Sequence, residues 1–160
     1  TGWTTAELAA ALDAAPPAGP FDLVTLLIGV NDQYRGLPCD ESYRARLDAL
    51  IRRAVASAAG DPSRVVVLSI PDWGVTPFAQ GRDPARIAAE IEAFNEVNRA
   101  AAAAAGARWL DVTGVSREAA RDLGLLAGDG LHPSAAMYAR WVELLLPAAR
   151  AILAPSVSGS

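Results

Sequence analysis

Two short segments of this sequence carry side chains whose types and spacing could do chemistry. One is Asp129-Gly130-Leu131-His132-Pro133, which contains the only histidine of the chain. Gly130 frees the backbone for a turn, so the carboxylate of Asp129 can meet Nδ1 of His132 and fix the imidazole tautomer. Nε2 would then be free to take a proton from a nucleophile. Taken alone, the segment fits a surface or helix-capping histidine equally well.

The second segment is Ile28-Gly29-Val30-Asn31-Asp32, which ends a near-continuous apolar run. In open parallel sheets, ligands bind at the carboxyl ends of the strands, and Asn31 would lie at such an end. Its amide group could donate a hydrogen bond to a developing oxyanion without changing charge. Considered alone, the Asn31-Asp32 pair is more typical of a simple turn.

The combination of Asn31 with a later Asp-x-x-His-Pro segment resembles the SGNH (GDSL-type) hydrolase family over nearly the whole chain. The resemblance implies that Asp129 and His132 belong to a catalytic triad and that Asn31 is a side-chain oxyanion donor. Gly2, within Thr1-Gly2-Trp3-Thr4-Thr5, is similar to the family glycine whose backbone N–H completes the oxyanion hole. The implied activity is that of a serine esterase, lipase or acyl-hydrolase that forms an acyl-enzyme, needs no cofactor and acts on a small-molecule ester.

The family's nucleophilic serine lies in a Gly-Asp-Ser segment after the first strand, and this sequence has no such segment. Gly60-Asp61 is followed by proline, and Gly128-Asp129 is followed by glycine. None of the following serines has flanking residues that would let it serve instead: Ser42, Ser57, Ser63, Ser69, Ser116 and Ser134. We therefore expect the nucleophile upstream of Gly2, and we expect these 160 residues alone to be inactive.

Two other functions stay open at this point. A degenerate or truncated hydrolase would be a non-catalytic α/β module that binds a ligand or partner. A different α/β hydrolase or transferase would use the Asp129–His132 pair on a substrate hydroxyl. A Gly-Asp-Ser segment after a buried strand upstream would favour the esterase, whereas its absence would favour the binding module.

Strand and helix patterns alternate along the chain, which predicts βαβ units and a parallel sheet. Strands are predicted over 21–29, 65–70 and 107–112. Helices are predicted from the capping box at Thr4, over 40–59 and 84–106, for one or two turns after Ser116, and from near Pro133, with a kink or split at Pro147. With the resemblance, this predicts one domain over 1–154, a three-layer α/β/α sandwich with a flavodoxin-like sheet whose N-terminal strands are missing. Residues 155–160 are predicted to be a flexible tail.

The composition excludes several classes of partner and cofactor. The chain has 14 basic and 18 acidic residues, a formal net charge of −4, and no basic run, which argues against nucleic acid. All of its basic residues are arginine, which excludes a P-loop lysine and a lysine Schiff base. One cysteine and one histidine cannot make a Cys-rich or multi-His zinc site, and no apolar run is long enough to span a membrane. Because the sequence does not begin with Met, the compartment stays open.

Some expectations concern the surroundings of the site. Trp73 and Phe78 follow the second strand and could wall an acyl or aryl pocket, although packing of their loop is favoured. Asp32, Tyr34 and Arg35 follow Asn31 and could rim the site, although a solvated loop is favoured. The first strand would form an open apolar edge, to be covered by the missing N-terminal segment or by another copy of the chain.

Overall fold

The computed structural model describes residues 2–154 of the chain. The predicted tail over 155–160 lies outside the described residues. Three short strands form a parallel sheet in the order β1-β2-β3, namely β1 (Val24–Leu26), β2 (Val65–Leu68) and β3 (Arg108–Leu110). Val24 pairs with Val65, and Val66 pairs with Arg108. The predicted parallel sheet and its strand positions are therefore confirmed, with β1 at an edge of the described sheet.

The strands are shorter than the apolar runs that predict them. After β2, the backbone N–H of Ile70 donates to the side chain of Asn95 at 2.8 Å. Strand β2 therefore ends before its apolar run does. Beyond the strand, the buried side chain of Asn95 takes the place of a neighbouring strand as hydrogen-bond partner of the backbone.

Within residues 2–154, six α-helices connect and flank the strands: α1 (Thr5–Ala14), α2 (Val30–Tyr34), α3 (Glu41–Ser57), α4 (Pro84–Ala104), α5 (Thr113–Arg117) and α6 (Ala135–Leu153). Their starts follow local capping chemistry. Thr4 and Glu7 form a capping box on α1, and the side chains of Asp40, Asp83 and Ser134 accept hydrogen bonds from the first turns of α3, α4 and α6. Short 3₁₀ turns over Trp73–Val75 and Pro77–Ala79 shape the loop after β2.

The structure refines the expectations for three helical segments. Residues 30–34 form the short helix α2 rather than a simple turn. Helix α5 begins earlier, at Thr113, whose backbone N–H bonds to Ser69 and Asp111, and the 3₁₀ turn Glu118–Ala120 that follows it supplies the helical turn predicted after Ser116. Helix α6 does not split at Pro147 but continues through it to Leu153.

The two faces of β2 bury against different helices. Val65 and Val67 belong to a core with α3 and α4, including Leu47, Leu50 and Ile91. Val66 and Leu68 face the opposite way and pack with Met137 and Trp141 of α6. This alternation gives the predicted three-layer α/β/α arrangement, because successive side chains of a strand point to opposite faces.

Among residues 2–154, none of the helices combines the length and the apolar character needed to cross a membrane.

Candidate active site

Asp129 and His132 meet in the loop before α6. Oδ2 of Asp129 lies 2.6 Å from Nδ1 of His132, and its Oδ1 accepts hydrogen bonds from the backbone N–H groups of Leu131 and His132, each at 2.9 Å. Gly130 makes the turn with φ of +68°. Hydrogen bonds from the imidazole and from these two N–H groups lower the pKa of Asp129 from 3.8 to about 2. The carboxylate is therefore ionised at neutral pH and can orient the imidazole.

The same loop is closed on itself by backbone hydrogen bonds. Ala127 donates to the carbonyl of His132 at 2.7 Å, and Ser134 donates to the carbonyl of Leu125 at 2.8 Å. The side chain of His132 is 61% exposed, and its Nε2 has no hydrogen-bond partner among the described residues. This nitrogen can accept a proton from a group brought beside it.

Asn31 lies in the first turn of α2, directly after the carboxyl end of β1. Gly29 caps this helix with φ of +114°, and a Cβ on Gly29 would lie 2.3 Å from the hydroxyl oxygen of Tyr43. That hydroxyl donates to Oδ1 of Asn98 at 2.7 Å, and Nδ2 of Asn98 donates to the carbonyl of Ile28 at 3.3 Å. Burial raises the pKa of Tyr43, so it remains a donor. A buried polar network thus fixes the backbone that leads into Asn31.

The segment that carries Gly2 is tied to α2 by Asp32. This carboxylate is fully buried and accepts from the backbone N–H of Thr5 at 2.8 Å and from its hydroxyl at 2.6 Å. Arg35 donates to the carbonyl of Gly2 at 2.9 Å. The expectation that Asp32 lies in a solvated loop is therefore wrong, because Thr5, far away in sequence, satisfies both carboxylate oxygens.

One cavity of about 620 Å³ brings these parts together. Gly2, Asn31 and His132 all line it. Most of its other lining residues are apolar or aromatic: Trp3, Leu8, Leu27, Val30, Tyr34, Trp73, Phe78, Leu126, Leu131, Met137, Tyr138 and Trp141. Mostly apolar walls with a few convergent polar groups are typical of a small-molecule site.

The hydroxyl groups of two serines in or near this cavity are already engaged in hydrogen bonds. Ser116 is the serine that lines the cavity among the described residues; its hydroxyl donates to the carbonyl of Thr113 at 2.7 Å and accepts from the N–H of Asp72. Ser69, which directly follows β2, is buried and bonds to Asp111 and Thr113. Neither hydroxyl is available as a nucleophile in this arrangement.

Sequence reasoning missed one feature of the site and anticipated another only as an alternative. Asp32 is a buried anchor, and Tyr34 lines the cavity beside Asn31. The signal for Tyr34 was its position three residues after Asn31, which shares a helix face once these residues are helical. Trp73 is largely buried, as expected of loop packing, whereas Phe78 is exposed on the cavity wall.

The model of the GDSL-like lipase/acylhydrolase family matches residues 1–140. The chain belongs to this family. Its activity type is accordingly that of an esterase or acylhydrolase. The comparison with curated proteins gives no match.

Solved structures share the fold of this GDSL-family chain. LAE5, an α/β hydrolase from the metagenome of Lake Arreo in Spain, is 23% identical, with a TM-score of 0.70 over 95% of this chain and 70% of its own. The lipase/acylhydrolase from Enterococcus faecalis is 20% identical, with a TM-score of 0.70 over 98% and 75%. A catalytic mutant of Axe2, an acetylxylan esterase from Geobacillus stearothermophilus, is 20% identical, with a TM-score of 0.67 over 100% and 72%. These likenesses identify the SGNH hydrolase fold.

Proposed function

We propose that this domain supplies the acid–base and oxyanion groups for ester hydrolysis through an acyl-enzyme. The observation that carries the proposal is the 2.6 Å contact between Asp129 and Nδ1 of His132, with the far side of the imidazole open to a cavity that Asn31 also lines. A carboxylate, an imidazole with a free Nε2 and an amide donor are the groups that serine ester hydrolysis requires besides its nucleophile.

His132 acts as base and then as acid. Nε2 takes the proton of a serine hydroxyl as its oxygen bonds to the ester carbonyl carbon. The imidazolium then gives this proton to the departing alkoxide, which leaves as the alcohol. Water repeats the cycle on the acyl-serine and releases the carboxylic acid. Asp129 holds Nδ1 and stabilises the imidazolium throughout.

The oxyanion is held by the side-chain amide of Asn31 and the backbone N–H of Gly2. Both residues line the same cavity as His132, and the hydrogen bonds of Asp32 and Arg35 fix the segment around Gly2 against α2. Donors fixed before reaction are most effective, because they need no reorganisation as charge develops.

The nucleophile in this proposal is a serine from a Gly-Asp-Ser segment outside these 160 residues. Two observations support it: Nε2 of His132 has no partner among the described residues, and the hydroxyl of Ser116 is engaged elsewhere. Strand β1 lies at the edge of the described sheet. A parallel strand added there would bring its carboxyl end beside Asn31, since the carboxyl ends of parallel strands share one sheet edge.

Axe2 offers support for the roles of the acidic and basic residues. Two of its structures are described as catalytic mutants, one of an aspartate and one of a histidine, three positions apart in that enzyme. Asp129 and His132 have the same spacing in a chain of the same fold.

The test uses the protein extended by the sequence encoded upstream of Thr1, labelled with a fluorophosphonate probe and mapped by mass spectrometry. We expect labelling at a Gly-Asp-Ser serine, loss of labelling in His132→Gln, and a fall in kcat on the order of 10³–10⁴ in Asp129→Asn. Asp122→Asn is the matched control, because Asp122 caps a nearby turn without contacting His132. The 160-residue chain alone should neither hydrolyse p-nitrophenyl esters nor label.

Two results would contradict the proposal. Labelling of a serine within residues 1–160 would mean that the nucleophile has been misassigned. An extended protein with no labelling and no esterase activity would favour the non-catalytic binding module.

A further inference from the structure

Three aromatic rings form one wall of the cavity. The ring of Tyr34 lies 5.2 Å from that of Trp73 in an edge-on arrangement and 6.0 Å from that of Phe78. Trp73 is buried beneath the other two, whereas Tyr34 and Phe78 are 39% and 42% exposed. The two outer rings therefore present apolar surface to the cavity. We call Tyr34, Trp73 and Phe78 the aromatic wall.

The aromatic wall is anchored to both halves of the candidate active site. Tyr34 belongs to the same short helix as Asn31, and the backbone N–H of Phe78 donates to the carbonyl of Gly130 in the His132 loop. The position of Trp73 is fixed by its indole N–H, which donates to Oε1 of Gln33 at 2.7 Å. A substrate group on this wall would therefore lie next to the reacting ester.

Arg82 adds a further restraint. Its guanidinium lies 5.3 Å from the centre of the Tyr34 ring and 5.2 Å from that of Trp73. Such cation–π contacts hold the rings in place and reduce the ordering cost of binding a ligand against them.

Several polar side chains next to the aromatic wall are already engaged within the protein. Asp72 is the one carboxylate among the described lining residues; its oxygens accept from the N–H of Gly74 and from Arg117, both at 2.9 Å. The hydroxyl of Thr76 donates to the carbonyl of Trp73 at 2.7 Å, and that of Ser116 is engaged as described above. The Tyr34 hydroxyl has no hydrogen-bond partner among the described residues, whereas the Asp72 carboxylate and the Thr76 and Ser116 hydroxyls are engaged. A polyhydroxylated group placed here would therefore lose many hydrogen bonds to water and find few unengaged partners to replace them.

We infer that the substrate is an ester with a bulky apolar group, aryl or alkyl, that packs on Tyr34 and Phe78, and that acetylated sugars are poor ligands. This inference rests on the proposed function, because it takes the cavity beside Asn31 and His132 as the ester site. It sets this chain apart from Axe2, which is described as an acetylxylan esterase.

The test compares two acetate esters that differ only in the alcohol: 1-naphthyl acetate and methyl 2-O-acetyl-β-D-xylopyranoside. Equilibrium dialysis at low micromolar concentration measures their binding to the 160-residue chain, which needs no nucleophile for this purpose. We expect 1-naphthyl acetate to bind at least tenfold more tightly than the sugar ester. Phe78→Ala should weaken naphthyl acetate binding by roughly tenfold, because one aromatic contact and its buried area are lost.

Phe21→Ala is the matched control, because Phe21 is equally exposed at 40% but does not line the cavity. Its affinity for 1-naphthyl acetate should be unchanged, and near-UV circular dichroism checks that both variants fold. Equal or tighter binding of the sugar ester, no saturable binding of 1-naphthyl acetate, or unchanged affinity in Phe78→Ala would each overturn the inference.

These binding results are independent of the proposed chemistry. Failure of naphthyl acetate to bind would remove the substrate class and leave the roles of Asp129 and His132 to the labelling experiment. If 1-naphthyl acetate binds but fluorophosphonate labelling of the extended protein does not depend on His132, the proposed role of His132 is overturned and the substrate class is not.

Discussion

Asp32 and Thr5 join the two segments that carry the proposed oxyanion donors. The backbone N–H and the hydroxyl of Thr5 donate to the two carboxylate oxygens of Asp32, at 2.8 and 2.6 Å, and Arg46 donates to the same hydroxyl at 3.0 Å. Thr5 begins α1, close to Gly2, and Asp32 follows Asn31. A buried contact between Thr5 and Asp32 thus fixes how far apart the two proposed oxyanion donors, Gly2 and Asn31, lie.

Replacing Asp32 by alanine should destabilise the fold by about 3 kcal/mol, because buried donors on Thr5 lose their charged acceptor. Chemical denaturation monitored by circular dichroism measures this loss. Asp13→Ala is the control, since Asp13 forms an exposed ion pair with Arg53 and should cost less than about 1 kcal/mol. Equal losses in the two variants would show that the Asp32–Thr5 contact has no special role.

Gly29→Ala should lower the free energy of unfolding by roughly 3–5 kcal/mol. The new Cβ would clash with the Tyr43 hydroxyl, and residue 29 has φ of +114°, which disfavours any residue with a Cβ. Gly36→Ala is the control for the backbone alone, since Gly36 has φ of +70° and no atom within 4 Å of a new Cβ. It should cost about 1–2 kcal/mol. The same denaturation series measures both, and a Gly29→Ala loss no larger than that of Gly36→Ala would contradict the steric explanation.

The sequence predicts the long elements well because their signals are local. Asp40 and Asp83 cap α3 and α4, and Pro84 begins α4, so each helix start is encoded within a few residues. The contact between Asp129 and His132 is also local, with a glycine turn between the two side chains. That geometry could therefore be predicted without knowledge of the fold, whereas the catalytic role remains a prediction.

The features that were missed depend on contacts between distant residues. Helix α2 is only five residues long, and Asp32 and Gln33 within it bond to Thr5 and Trp73. Short helices have little stability of their own, so periodicity carries no signal for them. The aromatic wall could be predicted only in part. The sequence offers Trp73 and Phe78 as a pocket wall, but their contact with Tyr34 forms only after the loop following β2 has packed.

The low pKa of Asp129 predicts a specific dependence on pH. Its ionised form is favoured in the folded state, so its contribution to stability is complete above about pH 4 and is lost as the pH falls towards 2. We expect the melting temperature of the natural chain to exceed that of Asp129→Asn by an amount that is constant at higher pH and shrinks across this range. Differential scanning fluorimetry from pH 6 to 2 measures the difference, and a difference independent of pH would contradict the shifted pKa.

The 160-residue chain should self-associate. Strand β1 lies at the edge of the described sheet, and α6 exposes an apolar stripe that includes Tyr138, Val142 and Leu146. Sedimentation velocity should show oligomers, with a shift towards monomer in Val142→Lys. Leu123→Lys is the control, because Leu123 is an exposed leucine that belongs to the 3₁₀ turn Leu123–Leu125 and not to α6. A monomeric chain with a cooperative, reversible melt would contradict this account of the open edge.

The central claim is that Asn31 stabilises charge that appears only in the transition state, and kcat per active site tests it most directly. The measurement uses the extended protein with its serine titrated by the fluorophosphonate probe, and compares the natural residue with Asn31→Ala. We predict a fall in kcat on the order of 10²–10³, about 3–4 kcal/mol, with KM and the melting temperature little changed. A stable Asn31→Ala variant with near-normal kcat per titrated site would contradict the account, because Asn31 would then not be an oxyanion donor.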